Sequence, residues 1–118
     1  MKLEIVRIAE AGVAFKERIH ISVLVAANLG FYSVLNTVLQ SNGLLANVIR
    51  HGYFFGPIQV KPGDNIVLYT GPGKYTSTVR TDGGTDYFFY WSLPQTIFGV
   101  SESRATLVEM AGWNTNGL

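Results

Sequence analysis

Tyr87-Phe88-Phe89-Tyr90-Trp91 puts five aromatic side chains on consecutive residues. In an extended strand, neighbouring side chains point to opposite faces. Tyr87, Phe89 and Trp91 then cover one side, and Phe88 and Tyr90 the other. A strand apolar on both faces has to be covered on both, by its own fold or by a partner. The run therefore constrains architecture far more than chemistry, and it marks Tyr87, Tyr90 and Trp91 as candidate contact residues.

The rest of the chain also reads as strands. Residues 17–26 alternate best, with Ile19, Ile21, Val23 and Val25 on one face and Arg18, His20, Ser22 and Leu24 opposite. Further strands are expected at residues 3–8, 31–40, 65–70, 75–81, 86–93 and 105–110, with a short piece at 96–100; Tyr53-Phe54-Phe55 precedes Gly56-Pro57, and Ile58-Gln59-Val60 leads into the next turn. Residues 44–49 fit a strand or a short helix, and context favours the strand. Asn28-Leu29-Gly30 is expected to form a turn or bulge, and Ser41-Asn42-Gly43 a stop. Lys61-Pro62-Gly63-Asp64 is a strong turn, because proline presets φ and glycine accepts positive φ. Gly71-Pro72-Gly73 closes a strand and is expected to be a hairpin turn, and Asp82-Gly83-Gly84 closes the next. Short strands punctuated in this way, with no long amphipathic helix, predict an all-β fold: an antiparallel sandwich or barrel. No repeat or linker interrupts residues 1–118, so one domain is expected, with 113–118 a frayed tail.

Composition narrows the function classes. Hydrophobic residues make up 47% and charged ones 14%, against about 25% charged in an average soluble domain. Such a chain has ample apolar surface to order itself. Residues 1–60 carry five basic and three acidic groups, and residues 61–118 four and five. Neither half forms a phosphate-tracking surface, so there is no strong nucleic-acid signal. The absence of cysteine removes disulfides, thiolate metal sites and cysteine nucleophiles, and fits a cytoplasmic chain. Lys2, Glu4, Arg7 and Glu10 interrupt any signal-peptide core. Residues 19–49 carry no Asp, Glu, Lys or Arg, but polar side chains such as His20, Asn28, Asn36 and Gln40 break the run. No membrane span is expected there.

Four motifs in order carry a family resemblance. The first is Lys16-Glu17-Arg18-Ile19-His20-Ile21, and the second runs from Val60-Lys61-Pro62-Gly63-Asp64 through Ile66-Val67-Leu68-Tyr69-Thr70-Gly71. The third is Tyr90-Trp91-Ser92-Leu93 followed by Ile97-Phe98, and the last Arg104-Ala105-Thr106-Leu107-Val108-Glu109. Together they cover about residues 3–113, and the chain resembles the bacterial lamin-tail-like domains. Two positions differ: Leu29-Gly30-Phe31-Tyr32 stands where the family has G-W-x-[LI], and residues 99–103 replace its N-x-G-D. The resemblance implies an immunoglobulin-like β-sandwich without catalytic activity, a binding module for proteins, nucleic acid or membranes.

Catalytic chemistry has little support in the residues themselves. His20 and His51 lack ligand spacing, and Asp82 and Asp86 flank a glycine turn too short for an EF-hand loop. Glu102 and Glu109 show no sign of facing each other as an acid/base pair. No serine sits in a nucleophile elbow, and Gly71-Pro72-Gly73-Lys74 lacks the rest of a phosphate loop. No catalytic residue, metal site or cofactor is therefore assigned. The expectation is a non-enzymatic interaction or assembly module, homo-oligomeric or bound to a protein partner. The alternatives are a glycan- or nucleic-acid-binding module using exposed aromatics, and an uncharacterised hydrolase using Asp82, Asp86 or His20.

Overall fold

The computed structural model describes residues 1–46 and 49–117. In chain order its elements are β1 (Leu3–Ala9), β2 (Arg18–Val23), β3 (Ala27–Asn28), a 3-10 turn (Leu29–Phe31), β4 (Tyr32–Val38), β5 (His51–Phe54), β6 (Gln59–Val60), β7 (Asn65–Tyr69), β8 (Thr76–Val79), β9 (Thr85–Tyr90) and β10 (Ser103–Glu109). They form a five-stranded sheet in the order β1-β2-β7-β9-β8, a three-stranded sheet β10-β4-β5, and a small pair β3-β6. The protein is all-β, as the punctuation of the chain predicts, and the arrangement is compatible with a β-sandwich.

The core forms where alternating apolar residues of both larger sheets meet. Leu3, Ile19, Ile21, Val23, Ile66, Leu68 and Phe89 come from the five-stranded sheet, and Tyr32 and Val34 from the three-stranded one. Val60 of β6 and Leu29, Phe55 and Phe98 from the connections fill the rest. Along β2 the buried positions are 19, 21 and 23, as the alternation predicts. Val25 departs from that pattern and is exposed. β2 stops at Val23, where the chain turns so that the Leu24 and Val25 N–H groups both donate to the Lys2 carbonyl.

Three further expectations are corrected. The strands are not all antiparallel, since β7 runs parallel to β9 from Asn65↔Asp86 to Tyr69↔Tyr90. The reason is the path of the chain: β8 returns along the sheet edge, antiparallel to β9, before β9 inserts beside β7. Parallel neighbours need such a long crossover. Gly71-Pro72-Gly73 is accordingly the start of this crossover and not a hairpin turn, whereas Asp82-Gly83-Gly84 does close the β8–β9 hairpin. Residues 96–100 form no strand, because the Ile97 and Phe98 N–H groups are turned onto a buried carboxylate.

Asn28-Leu29-Gly30 enters a 3-10 turn capped by the Asn28 side chain, which accepts from the Gly30 N–H at 2.8 Å. The Lys61-Pro62-Gly63-Asp64 turn closes through Asp64 N–H to the Lys61 carbonyl at 3.0 Å, with Gly63 at φ 95°. In the ambiguous segment 44–49, Leu45 makes a single bridge to Leu39, and Asn47 and Val48 lie outside the described residues. Residues 112–117 carry no regular structure, yet the Trp113 ring packs edge-on to Phe31 at 5.8 Å. Among the described residues no helix is long and apolar enough to cross a membrane.

Candidate interaction surface

β9 divides its aromatics as the alternation requires. Phe89 is 4% exposed, and Tyr87 and Trp91 pack beside it against the core. Phe89 meets Phe55 at 5.0 Å and Tyr53 at 6.3 Å, both in the edge-to-face arrangement that aromatic quadrupoles favour. Trp91 receives Tyr53 at 5.9 Å and the His51 ring at 6.5 Å. Tyr75, just before β8, lies 5.0 Å from Phe89. Of the three candidate contact residues, Tyr87 and Trp91 are therefore half-buried on the inner face.

Tyr90 and Phe88 lie on the outer face. The register sets Arg7, His20, Val67, Phe88 and Thr76 in one row across the five strands, and Arg18, Tyr69 and Tyr90 in the next. Tyr90 stacks on Tyr69 with centroids 5.2 Å apart and planes 12° from parallel, and the Arg18 guanidinium lies 5.9 Å from the Tyr69 ring centre. The crossover backbone also rests on Tyr90: a Cβ added at Gly73 would sit 2.3 Å from the ring. Glycine is required there, and Tyr90 is left half-buried. Next to it Val6, His20, Val67 and Phe88 line a trough of about 400 Å³. Val67 is only 5% exposed although it faces outward, because its row neighbours close over it. His20 accepts a hydrogen bond from the Arg18 Nε at 3.1 Å, which needs the neutral imidazole. Burial, then Arg7 and Arg18, hold its pKa below the usual histidine range.

The outer face of the three-stranded sheet mixes apolar and hydroxyl side chains. Ser33, Leu35 and Thr37 of β4 stand between Phe54 of β5 and Thr106 and Val108 of β10. Phe54 is 66% exposed, and Thr37 and Thr106 bond through their hydroxyls at 2.9 Å. Arg104 is the charged residue that the pairing brings to this face.

The buried carboxylate that draws in residues 97 and 98 is Glu17, 1% exposed. It accepts from the N–H groups of Gly12 (2.7 Å), Ile97 (2.8 Å) and Phe98 (3.0 Å) and from the Thr70 hydroxyl (2.9 Å). Three connections are thereby tied together at one end of the sheet, without a paired cation among the described residues. Sequence reading passed over this role, although the signal was present: Glu17 shares the odd-numbered, inward parity of Ile19, Ile21 and Val23. A carboxylate on a core face has to be hydrogen-bonded.

The other polar candidates are absorbed by the fold. Asp82 accepts from the Gly84 N–H at 2.9 Å, and Arg80 pairs with both Asp82 and Asp86. The Gly84 hydrogen bond comes first in holding Asp82 below the usual carboxylate range. Asp64 is buried, which alone would raise its pKa, but the N–H groups of Lys61 and Thr85 and the Lys61 ammonium bring it down. Glu109 accepts from the Tyr32 hydroxyl at 2.5 Å, at the end of β10 opposite Glu102. Burial and that carboxylate push the Tyr32 phenol up to about 12. Ser103 Oγ accepts a hydrogen bond from Asn36 Nδ2 and donates one to the Ile97 carbonyl, so it is no free nucleophile.

His51, Asn36, Arg50 and Glu102 do line an open cleft of about 430 Å³, but the described residues hold no group of three or more metal-ligating side chains. Set against known proteins, the chain matches no family model, no curated protein and no solved structure.

Proposed function

We propose that this chain is a non-enzymatic interaction and assembly module, an immunoglobulin-like sandwich of the bacterial lamin-tail-like kind that joins a protein partner or further copies of itself. The observation that carries this reading is a partly exposed apolar cluster on each outer sheet face: Phe88 and Tyr90 over buried Val67, flanked by Arg7, Arg18 and His20, on one, and Leu35, Phe54 and Val108, set among Ser33, Thr37, Thr106 and Arg104, on the other. Apolar clusters of this kind mark contact sites. Of the polar side chains weighed for catalysis, Ser103 is bonded to Asn36, His20 to Arg18, and Asp82 and Asp86 to Arg80. The sandwich itself is supported by a core drawn from both larger sheets.

Size-exclusion chromatography with light scattering tests the proposal, and self-association is expected. A clean monomer in which Tyr90→Ser and Trp91→Ser lower only stability removes the contact reading. The second reading, a glycan-binding module, draws on the cleft lined by His51, where Arg50, Gln95 and Glu102 offer polar groups and Trp91 stands edge-on to His51. Glycan arrays on the same variants separate the two, since a glycan site there loses binding with Trp91→Ser.

A further inference from the structure

The two edges of the five-stranded sheet are built differently. β1 carries Glu4 and Arg7, and its register slips between Ile5 and Arg7, which kinks the strand. Charge and irregularity are the usual protections of an exposed edge. β8 has neither. Its four residues, Thr76-Ser77-Thr78-Val79, include no charge and no proline, and its register with β9 runs unbroken from Thr76↔Phe88 to Val79↔Thr85. All four are exposed, so no described segment lies across the strand on either face or along its free edge. Three of the four are β-branched, the type that suits a strand. β8 also overhangs the core: Val79, on the inner parity, is 74% exposed, and Tyr75 on the same side is 50% exposed.

We infer that β8 pairs antiparallel with β8 of a second copy of this chain, about a two-fold axis through Ser77, joining two five-stranded sheets into one. The register selects this partner. With Ser77 opposite Ser77 of the second copy, Thr76 faces Thr78 and Tyr75 faces Val79, each contact occurring twice; beyond them Lys74 falls opposite Arg80, whose charge is already paired with Asp82 and Asp86. The two most exposed apolar side chains flanking the edge then cover each other, as an aromatic against a β-branched residue, and the outer face gains threonine pairs. Shifting the axis to Thr78 leaves Tyr75 and Val79 apart. A four-residue ribbon is a small contact, and interfaces below about 1,200 Å² belong to weak association. The dimer is therefore concentration-dependent.

This inference rests on the assembly reading and narrows it to one edge and one partner. Sedimentation velocity over a concentration series, on the wild type, Val79→Lys, Ser77→Cys and Val79→Cys, tests it. Because the chain has no cysteine, each Cys variant carries a single thiol. The expected result is a wild-type dimer, loss of that dimer in Val79→Lys, and a disulfide-linked dimer from Ser77→Cys but not from Val79→Cys. All these side chains are exposed, so circular dichroism and melting should match the wild type. A dimer that survives Val79→Lys and does not cross-link through Ser77→Cys overturns the β8 pairing and leaves the assembly reading standing. A monomer at every concentration overturns the pairing and self-assembly together.

Discussion

The inner and outer faces of β9 carry the same kind of side chain and have different fates. On the inner face Phe89 and Trp91 meet rings from another part of the chain, Tyr53 and Phe55, edge to face; Phe89 is sealed into the core and Trp91 packs half-buried against it. On the outer face Phe88 and Tyr90 find neighbours only within their own sheet and its crossover: Val67, Tyr69 and the Gly73 backbone. Among the described residues a second layer lies on one side and not on the other. Aromatic content alone therefore does not make a core; a facing sheet does.

The sharpest way to break this comparison is Phe89→Ala. It should cost about 3–5 kcal/mol in urea unfolding, and a loss below about 1 kcal/mol would mean the inner face is not the core. Glu17→Ala comes next. Orphaning several buried donors should cost about 3 kcal/mol, and Glu17→Gln, which keeps one acceptor oxygen, should recover part of that. A stability unchanged in Glu17→Ala would show that the three connections do not depend on the carboxylate.

Outer-face changes should be smaller. A double-mutant cycle on Tyr69→Leu and Tyr90→Leu should give a coupling of about 0.5–1.5 kcal/mol, the value of a stacked pair. A coupling of zero would leave Tyr90 held by the Gly73 backbone alone. Smallest is a pH effect at His20. Its folded pKa is depressed, so the unfolded chain takes up the proton first. Stability should therefore fall as the pH drops through the usual histidine value of about 6.5 toward the folded pKa, and level off below it. The charged groups around it are Arg7 and Arg18, with Asp86 across the trough already paired to Arg80. His20→Gln should flatten the urea midpoint over that window, and an identical slope in the variant would remove His20 as its source.

Much of the fold was legible because its signals are local. Ile19, Ile21 and Val23 alternate whatever they pack against, and proline followed by glycine bends the chain at residues 62–63 from backbone preference alone. The contact surface was legible in part. Alternation placed Tyr90 with Phe88 and Tyr87 with Trp91 on opposite faces, but not that Phe89 alone of the run would be fully buried. Nothing in the immediate surroundings of Tyr69, Phe54 and Trp113 marks them as neighbours of Tyr90, Ser33 and Phe31.

What the amino-acid order determines by itself is strand content, turn positions and the division of side chains between two faces, because each follows from a few adjacent dihedral angles. Tertiary structure alone decided the parallel β7–β9 pair, the uncovered β8 edge and the four donors converging on Glu17. Those depend on segments up to about eighty residues apart arriving at one place, and on which surface a second layer happens to cover; no local periodicity carries that.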